Sequence, residues 1–171
     1  PLKQLCRTID AVTLDAKSFD ESFYRKVSRG KLSPVLAALS TLKAEGVWLE
    51  VSYLMVTELS DDPLIVEKFA KWVVKELGVD TPLHLLRFHP QHKLRNLAPT
   101  PLGLMREASK RAKAAGLHHV YLGNVPGEGG TTVCPHDGKV LIEREGFQVI
   151  ANNLVKGACP SCGKKLAGVY G

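Results

Sequence analysis

Aromatic residues are scarce in this sequence, at 6% of 171 residues. No apolar run approaches the roughly 20 residues of a membrane-spanning helix, which excludes an integral helical membrane protein and leaves no membrane partner to expect. No charged-then-apolar leader opens the residues given, so no secretory signal is read. The first residue is Pro1 rather than Met, which reads as a sign of sequence removed upstream. Cysteine is limited to Cys6, Cys134, Cys159 and Cys162. That is no disulfide framework, and the expected compartment is a reducing cytoplasm. Acidic residues are outnumbered, 17 against 23 basic, for a net charge of +6. The positive charge is scattered over 25–31, 110–113 and 164–165 without interleaved aromatics. Solvated helix faces are the expected reading, and nucleic acid is not an expected partner. The length suits one core plus a small appendage.

Three segments carry the same helix punctuation. Ser33-Pro34 precedes apolar positions Val35, Leu36, Leu39 and Leu42, and Gly46 follows. Asp62-Pro63 precedes Ile65, Phe69, Trp72, Val73 and Leu77, with Gly78 after them. Thr100-Pro101 precedes Leu104, Met105, Ala108, Ala112 and Ala115, with Gly116 after them. A small polar N-cap accepts a bond from an orphan amide, proline beside it loses no needed N–H, and glycine takes the left-handed closing conformation. The pattern predicts three helices. A fourth is expected over roughly 18–27.

Between them lie near-continuously apolar, branched runs at 9–14, 47–56, 83–88 and 118–122. Such runs predict parallel strands covered on both faces. Strands alternating with helices make an α/β architecture with right-handed crossovers. After Leu122 the texture changes. Residues 123–130 read as a loop, and 139–144 with 147–151 read as a small antiparallel pair. The expected units are 1–127 and 128–171.

Cys159-Pro160-Ser161-Cys162-Gly163 has zinc-knuckle spacing: two thiolates two residues apart reach one ion, and glycine lets the turn's amides approach the sulfurs. Cys134-Pro135-His136-Asp137-Gly138 repeats the frame with aspartate where a second cysteine would stand. Three thiolates therefore await a fourth ligand from His136 or Asp137. His136 takes preference because carboxylate is the rarer structural ligand, although Asp137 holds the matching slot. Zn2+ here would be structural, in a unit too small to be stable by burial alone. With one knuckle degraded, a weak or empty site is expected, and two unligated turns are the alternative.

Val47-Trp48-Leu49-Glu50-Val51, Ser60-Asp61-Asp62, Arg87-Phe88-His89-Pro90, Gly123-Asn124-Val125-Pro126-Gly127 and the two Cys-Pro knuckles follow in that order. The order resembles the C-terminal part of a radical S-adenosylmethionine enzyme. The chain is similar to homologues of pyruvate formate-lyase activating enzyme, in the AmmeMemoRadiSam-system branch. The resemblance implies the later part of an incomplete parallel (βα) barrel, a half-barrel, with a small C-terminal zinc-ribbon-like β appendage. It implies that Asp15 and Lys17, matching an Asp-Leu-Lys strand end with Ala16 between them, meet the amino-acid end of S-adenosylmethionine or an adjacent cation. His89 would touch the ribose or carboxylate, and Val56 would lie against the adenine. Without the resemblance, Asp15 is a strand end or helix cap, His89 a loop residue and Val56 core. His84 reads as a partly buried strand residue. His118 and His119 face opposite sides of a strand and make a poor metal pair.

The family's 4Fe-4S cluster needs a Cys-x3-Cys-x2-Cys loop, and a Gly-Gly-Glu segment holds the methionine part of the cofactor. Neither is present, since Cys6 stands alone before residue 134. The resemblance therefore implies a fragment, inactive alone, of an oxidoreductase that cleaves S-adenosylmethionine reductively and makes a radical on a protein or small molecule. Its expected partners are the missing N-terminal half of the barrel and, from the branch name, Memo-like and AMMECR-like proteins. The alternative is a stand-alone α/β plus zinc-ribbon module that binds protein or nucleic acid. Ile9, Val12 and Leu14 place no charge or proline on the first strand's edge, so dimerisation or aggregation through that edge is expected.

Overall fold

The computed structural model describes residues 1–146 and 148–169. A short helix α1 (Leu2–Leu5) leads into β1 (Ala11–Asp15). Then follow α2 (Glu21–Phe23), a π turn (Tyr24–Ser28), α3 (Leu32–Ala44), β2 (Trp48–Met55) and α4 (Pro63–Glu76). After these come β3 (Leu83–Arg87), a 3-10 turn (His92–Leu94), α5 (Leu102–Ala114) and β4 (Val120–Gly123). Strands β1 to β4 form a parallel sheet in chain order. A separate antiparallel sheet joins β5 (Thr132–Val133), β6 (Val140–Glu145) and β7 (Gln148–Asn152). Phe147, with which the second strand of the predicted pair begins, lies outside the described residues. Among the described residues no helix is long and apolar enough to cross a membrane.

The parallel sheet has two unlike faces. Leu49, Val51, Tyr53 and Met55 of β2 and Leu83 and Leu85 of β3 are at most 3% exposed. They share one core with Leu39 and Leu42 of α3, Phe69 and Val73 of α4, and Met105 and Ala108 of α5. Burial of this alternate set holds the helices on one face, and the aromatic stack of Phe69 on Trp72 extends the contact. The opposite face carries Thr13, Asp15, Trp48, Glu50, Ser52, His84 and Tyr121, of which only Ser52 is buried. The expectation of strands covered on both faces is thus corrected. Trp48, Leu54 and Leu86 sit among the polar residues of that second face, and in the sequence they hide the period-two alternation.

Helix ends show which local signals the chain uses. The Asp62 carboxylate accepts from the Leu64 N–H at 2.8 Å, and Pro63 opens α4 as read. Ser33 makes no such bond. The start of α3 is served from outside instead, where the Leu32 N–H donates to Glu21 Oε2 at 3.0 Å. Thr100 is likewise no cap of α5. Its hydroxyl donates to the Met55 carbonyl at 2.5 Å and accepts from the Phe88 N–H at 3.0 Å, tying the end of β2 to the end of β3. The helix expected over 18–27 begins at Glu21, capped by Asp20, and widens into the π turn closed by Arg29 at φ 52°.

After β4 the loop folds back on its own strand. Gly129 has φ 81°, and a Cβ there would lie 2.6 Å from the Leu122 backbone nitrogen. No side chain fits that approach.

Candidate functional site

Two turns of the same construction face each other in the antiparallel unit. In the first, the Gly138 N–H donates to the Cys134 carbonyl at 2.9 Å and the Cys134 N–H to the Lys139 carbonyl at 2.8 Å. In the second, Gly163 donates to Cys159 at 2.9 Å and Cys159 to Lys164 at 2.9 Å. Gly138 and Gly163 share the left-handed conformation, at φ 73° and 71°. By this internal correspondence Asp137 stands where Cys162 stands.

The ligand atoms of Cys134, Asp137, Cys159 and Cys162 all lie within 4.8 Å of one another. Cys134 Sγ and Cys162 Sγ are 3.6 Å apart, and Cys159 Sγ is 3.5 Å from Asp137 Oδ2. A tetrahedral ion with metal–sulfur bonds of ~2.3 Å has sulfur–sulfur edges of roughly 3.8 Å, so the four donors fit a single metal ion. Burial pushes the Cys134 thiol up to about 11. The Lys139 N–H, helped by the neighbouring thiols, holds Asp137 down to about 2. The Cys162 backbone N–H lowers the Cys159 thiol. Cys134 and Cys159 pack with Leu141, Ile142 and Leu166 in a second small core.

The preference for His136 does not survive this geometry. Its exposed imidazole lies outside the group, with Nδ1 3.4 Å from Lys164 Nζ. The matching slot in the turn, rather than the intrinsic affinity of imidazole, decides which side chain converges with the thiols.

The residues singled out at strand ends lie along one end of the parallel sheet. Asp15 closes β1 and is paired in register with Ser52. The Ser52 hydroxyl donates to Asp15 Oδ1, and the Lys17 ammonium lies 2.5 Å from Oδ2. Burial works against the charged carboxylate, but Lys17 and Ser52 outweigh it and hold Asp15 below its ordinary range. Val56 follows β2 and is buried, its N–H donating to the Ser60 hydroxyl at 3.0 Å. His89 follows β3 and is exposed, with Nε2 3.4 Å from the Asn124 carbonyl. Asn124, left-handed at φ 58°, donates through Nδ2 to the Arg87 carbonyl at 3.1 Å.

Two features escaped the sequence reading. Ser52 is one: it meets Asp15 through the β1–β2 register, which the strand ends do not reveal, since β2 runs on past Ser52 to Met55. The other is a polar chain on the open face. Trp48 Nε1 donates to Glu50 Oε1 at 3.1 Å, Glu50 Oε2 lies 2.7 Å from His84 Nε2, and His84 stacks on Tyr121 at 5.2 Å. The Tyr121 hydroxyl is 2.9 Å from the Thr132 hydroxyl, which also accepts from Arg144 at 2.9 Å. His84 holds the Glu50 carboxyl below its usual range, and burial pushes the Tyr121 phenol up. His119 is buried with Nε2 unpartnered among the described residues, and burial lowers its basicity. His118 turns instead to Asp80, at 2.7 Å.

No protein-family model matches the chain. The chain is 41% identical over 172 residues to the uncharacterized protein MJ0808 of Methanocaldococcus jannaschii, a match covering 97% of this chain and 50% of that protein. It spans about half the length of the curated relative it matches. Among solved structures it is similar to a domain of pyruvate-formate lyase-activating enzyme from Bacteroides vulgatus, with TM-score 0.61 and 13% identity over 72% of this chain and 73% of that one. It is also similar to a radical SAM methyltransferase from Sphaerobacter thermophilus, with TM-score 0.58 and 12% identity over 71% of this chain and 36% of that one. At 12–13% identity the likeness to these two proteins is one of fold alone.

Proposed function

We propose that this chain is the C-terminal half of a radical S-adenosylmethionine enzyme, similar to pyruvate formate-lyase activating enzyme and of the AmmeMemoRadiSam-system branch. The observation that carries the reading is the fold shared with the activating-enzyme domain. The relative of twice the length agrees with it. In this reading 1–127 is the later half of a (βα) barrel and 128–171 a zinc-ribbon-like unit. The open edge of β1 is where the other half of the barrel docks. Without that half, the same edge pairs two copies of the chain.

Asp15 and Lys17 would orient the amino-acid end of S-adenosylmethionine or hold an adjacent cation, Ser52 fixing the carboxylate for that task. His89 would meet the ribose or carboxylate, and Val56 would wall the adenine side. All lie at strand C-terminal ends, where barrel enzymes place their chemistry. When bound, the cofactor supplies a carbon radical through reductive cleavage by an iron–sulfur cluster.

The residues present do not fit that 4Fe-4S cluster. Cys6 packs against the main core, apart from the other cysteines, and the donors of Cys134, Asp137, Cys159 and Cys162 are spaced for one ion. The cluster therefore belongs to the missing half, and the 171-residue chain alone is inactive. The four donors of the knuckles would hold Zn2+, which supplies folding stability and keeps no coordination position for a substrate. The substrate is a protein or small-molecule hydrogen donor, and Memo-like and AMMECR-like proteins are its pathway partners. The setting is cytoplasmic.

The test is anaerobic co-expression of this chain with the N-terminal half of its Methanocaldococcus relative. A stable complex that converts S-adenosylmethionine to 5′-deoxyadenosine is expected. Two halves that fail to associate would overturn the reading and favour the interaction module.

A further inference from the structure

We propose that the knuckle site is an exchangeable metal switch, in which Asp137 is the labile arm and metal occupancy locks the antiparallel unit onto the parallel sheet through Thr132. The inference rests on the metal reading above and not on the radical chemistry.

The first observation is asymmetry within a symmetric frame. Cys134 and Cys159 are buried, whereas Asp137 and Cys162 are exposed. The one position that departs from sulfur is thus on the side open to solvent. A carboxylate is a harder and weaker donor for a thiolate-bound ion than a fourth sulfur. Its Oδ1 is engaged by the Lys139 N–H at 3.0 Å, while Oδ2, 3.5 Å from Cys159 Sγ, is the oxygen turned toward the thiols and so toward the metal. The site is therefore built to let go from one side, by opening Asp137 while three thiolates still hold.

The second observation is what the metal loop is joined to. Thr132 lies two residues before Cys134, on β5, and is buried. Its hydroxyl bridges Tyr121 of the parallel sheet and Arg144 of β6, and Arg144 also donates to the Gly130 carbonyl at 3.0 Å. From Tyr121 the chain of contacts runs through His84 and Glu50 to the Trp48 indole. A cavity of about 1160 Å³ lies between the two units, lined by Trp48, Glu50, Tyr121, Thr132, Arg144 and Leu166. Leu166 belongs at once to this lining and to the small core around the buried cysteines. A metal that orders the knuckles therefore orders Thr132 and Leu166, and releasing it frees the contact with Tyr121. Linkage makes the coupling reciprocal: the factor by which bound metal favours the Tyr121–Thr132 contact is the factor by which that contact favours metal binding.

The experiment uses the whole 171-residue chain carrying Trp72→Phe, which leaves Trp48 as its single tryptophan. Zn2+ is titrated against a competing chelator while Trp48 emission is followed. The wild-type frame is expected to bind one Zn2+, surrender it quickly to chelator, and shift its Trp48 emission on binding. Asp137→Cys should tighten binding beyond the roughly 10–100-fold that even an outer-shell change produces, and slow release. His136→Ala should change neither. Tyr121→Phe, and separately Thr132→Val, should abolish the emission shift and weaken Zn2+ about two- to tenfold, with Thr132→Ser restoring both. Circular dichroism of each metal-free variant checks that the parallel sheet is intact. Zn2+ binding that leaves Trp48 unmoved, an Asp137→Cys site no tighter than the original, or no Zn2+ bound at all would overturn the proposal. None of these readouts involves S-adenosylmethionine, so its failure is distinct from failure of the enzyme reading.

Discussion

Asp15 and Ser52 stand opposite each other in the β1–β2 register, and the serine hydroxyl donates to the carboxylate that Lys17 also pairs. Ser52→Ala removes one stabiliser of the charged form, so the Asp15 pKa should rise toward its ordinary 3.8. Lys17→Met should raise it too. Because the folded-state pKa is depressed, Asp15 stabilises the fold above the unfolded value and loses that contribution as pH falls through the folded one. Carbon-detected NMR titration of Asp15 between pH 5 and pH 2, roughly the carboxylate range, checks the direction. An unchanged titration in Ser52→Ala would show that the hydroxyl is idle.

The contrast between Asp62 and Ser33 tests which helix signals act. Asp62→Ala should cost about 1 kcal/mol, because the Leu64 N–H loses its acceptor. Ser33→Ala should fall within roughly 0.5 kcal/mol of wild type, since Ser33 is exposed and caps nothing. Urea denaturation midpoints of the two variants decide it.

Thr100→Val should be far more damaging than a surface threonine change. Thr100 is 0% exposed, and its loss strands the Phe88 N–H and the Met55 carbonyl at the ends of two strands. Each buried unpaired group costs about 1–3 kcal/mol, so a destabilisation of about 2 kcal/mol or more is expected. The protection of the Phe88 amide against hydrogen exchange should fall with it.

The open edge of β1 has a consequence for assembly. Val12 and Leu14 are half-buried there, and Ala11 and Thr13 are exposed. The isolated chain should associate through this edge, sedimenting faster as concentration rises. Thr13→Lys, which places a charge on an unpaired strand, should suppress the association. A monomer at every concentration would count against pairing through β1.

The three main helices, the parallel strands and the paired knuckles were legible in the sequence because their signals are local. Glycine at a helix end, Cys-Pro-x-x-Gly spacing and, at Asp62 alone of the three polar residues before proline, the helix cap act through bonds that close within a few residues, as Asp62 on Leu64 and Gly163 on Cys159 do. What tertiary structure alone decided depends on register and on neighbours distant in the chain. Glu21 serves the amide of Leu32, Thr100 ties β2 to β3, and Ser52 meets Asp15 across 37 residues. The choice of Asp137 over His136 is of the same kind. Both side chains belong to one turn, and the second knuckle, arriving from beyond residue 155, determines which of them faces the thiols. The fully covered sheet expected from the near-continuous apolar runs failed for a related reason: hydrophobicity along a strand does not say how closely a second layer packs on it, and here the antiparallel unit leaves a cavity over Trp48, Glu50 and Tyr121.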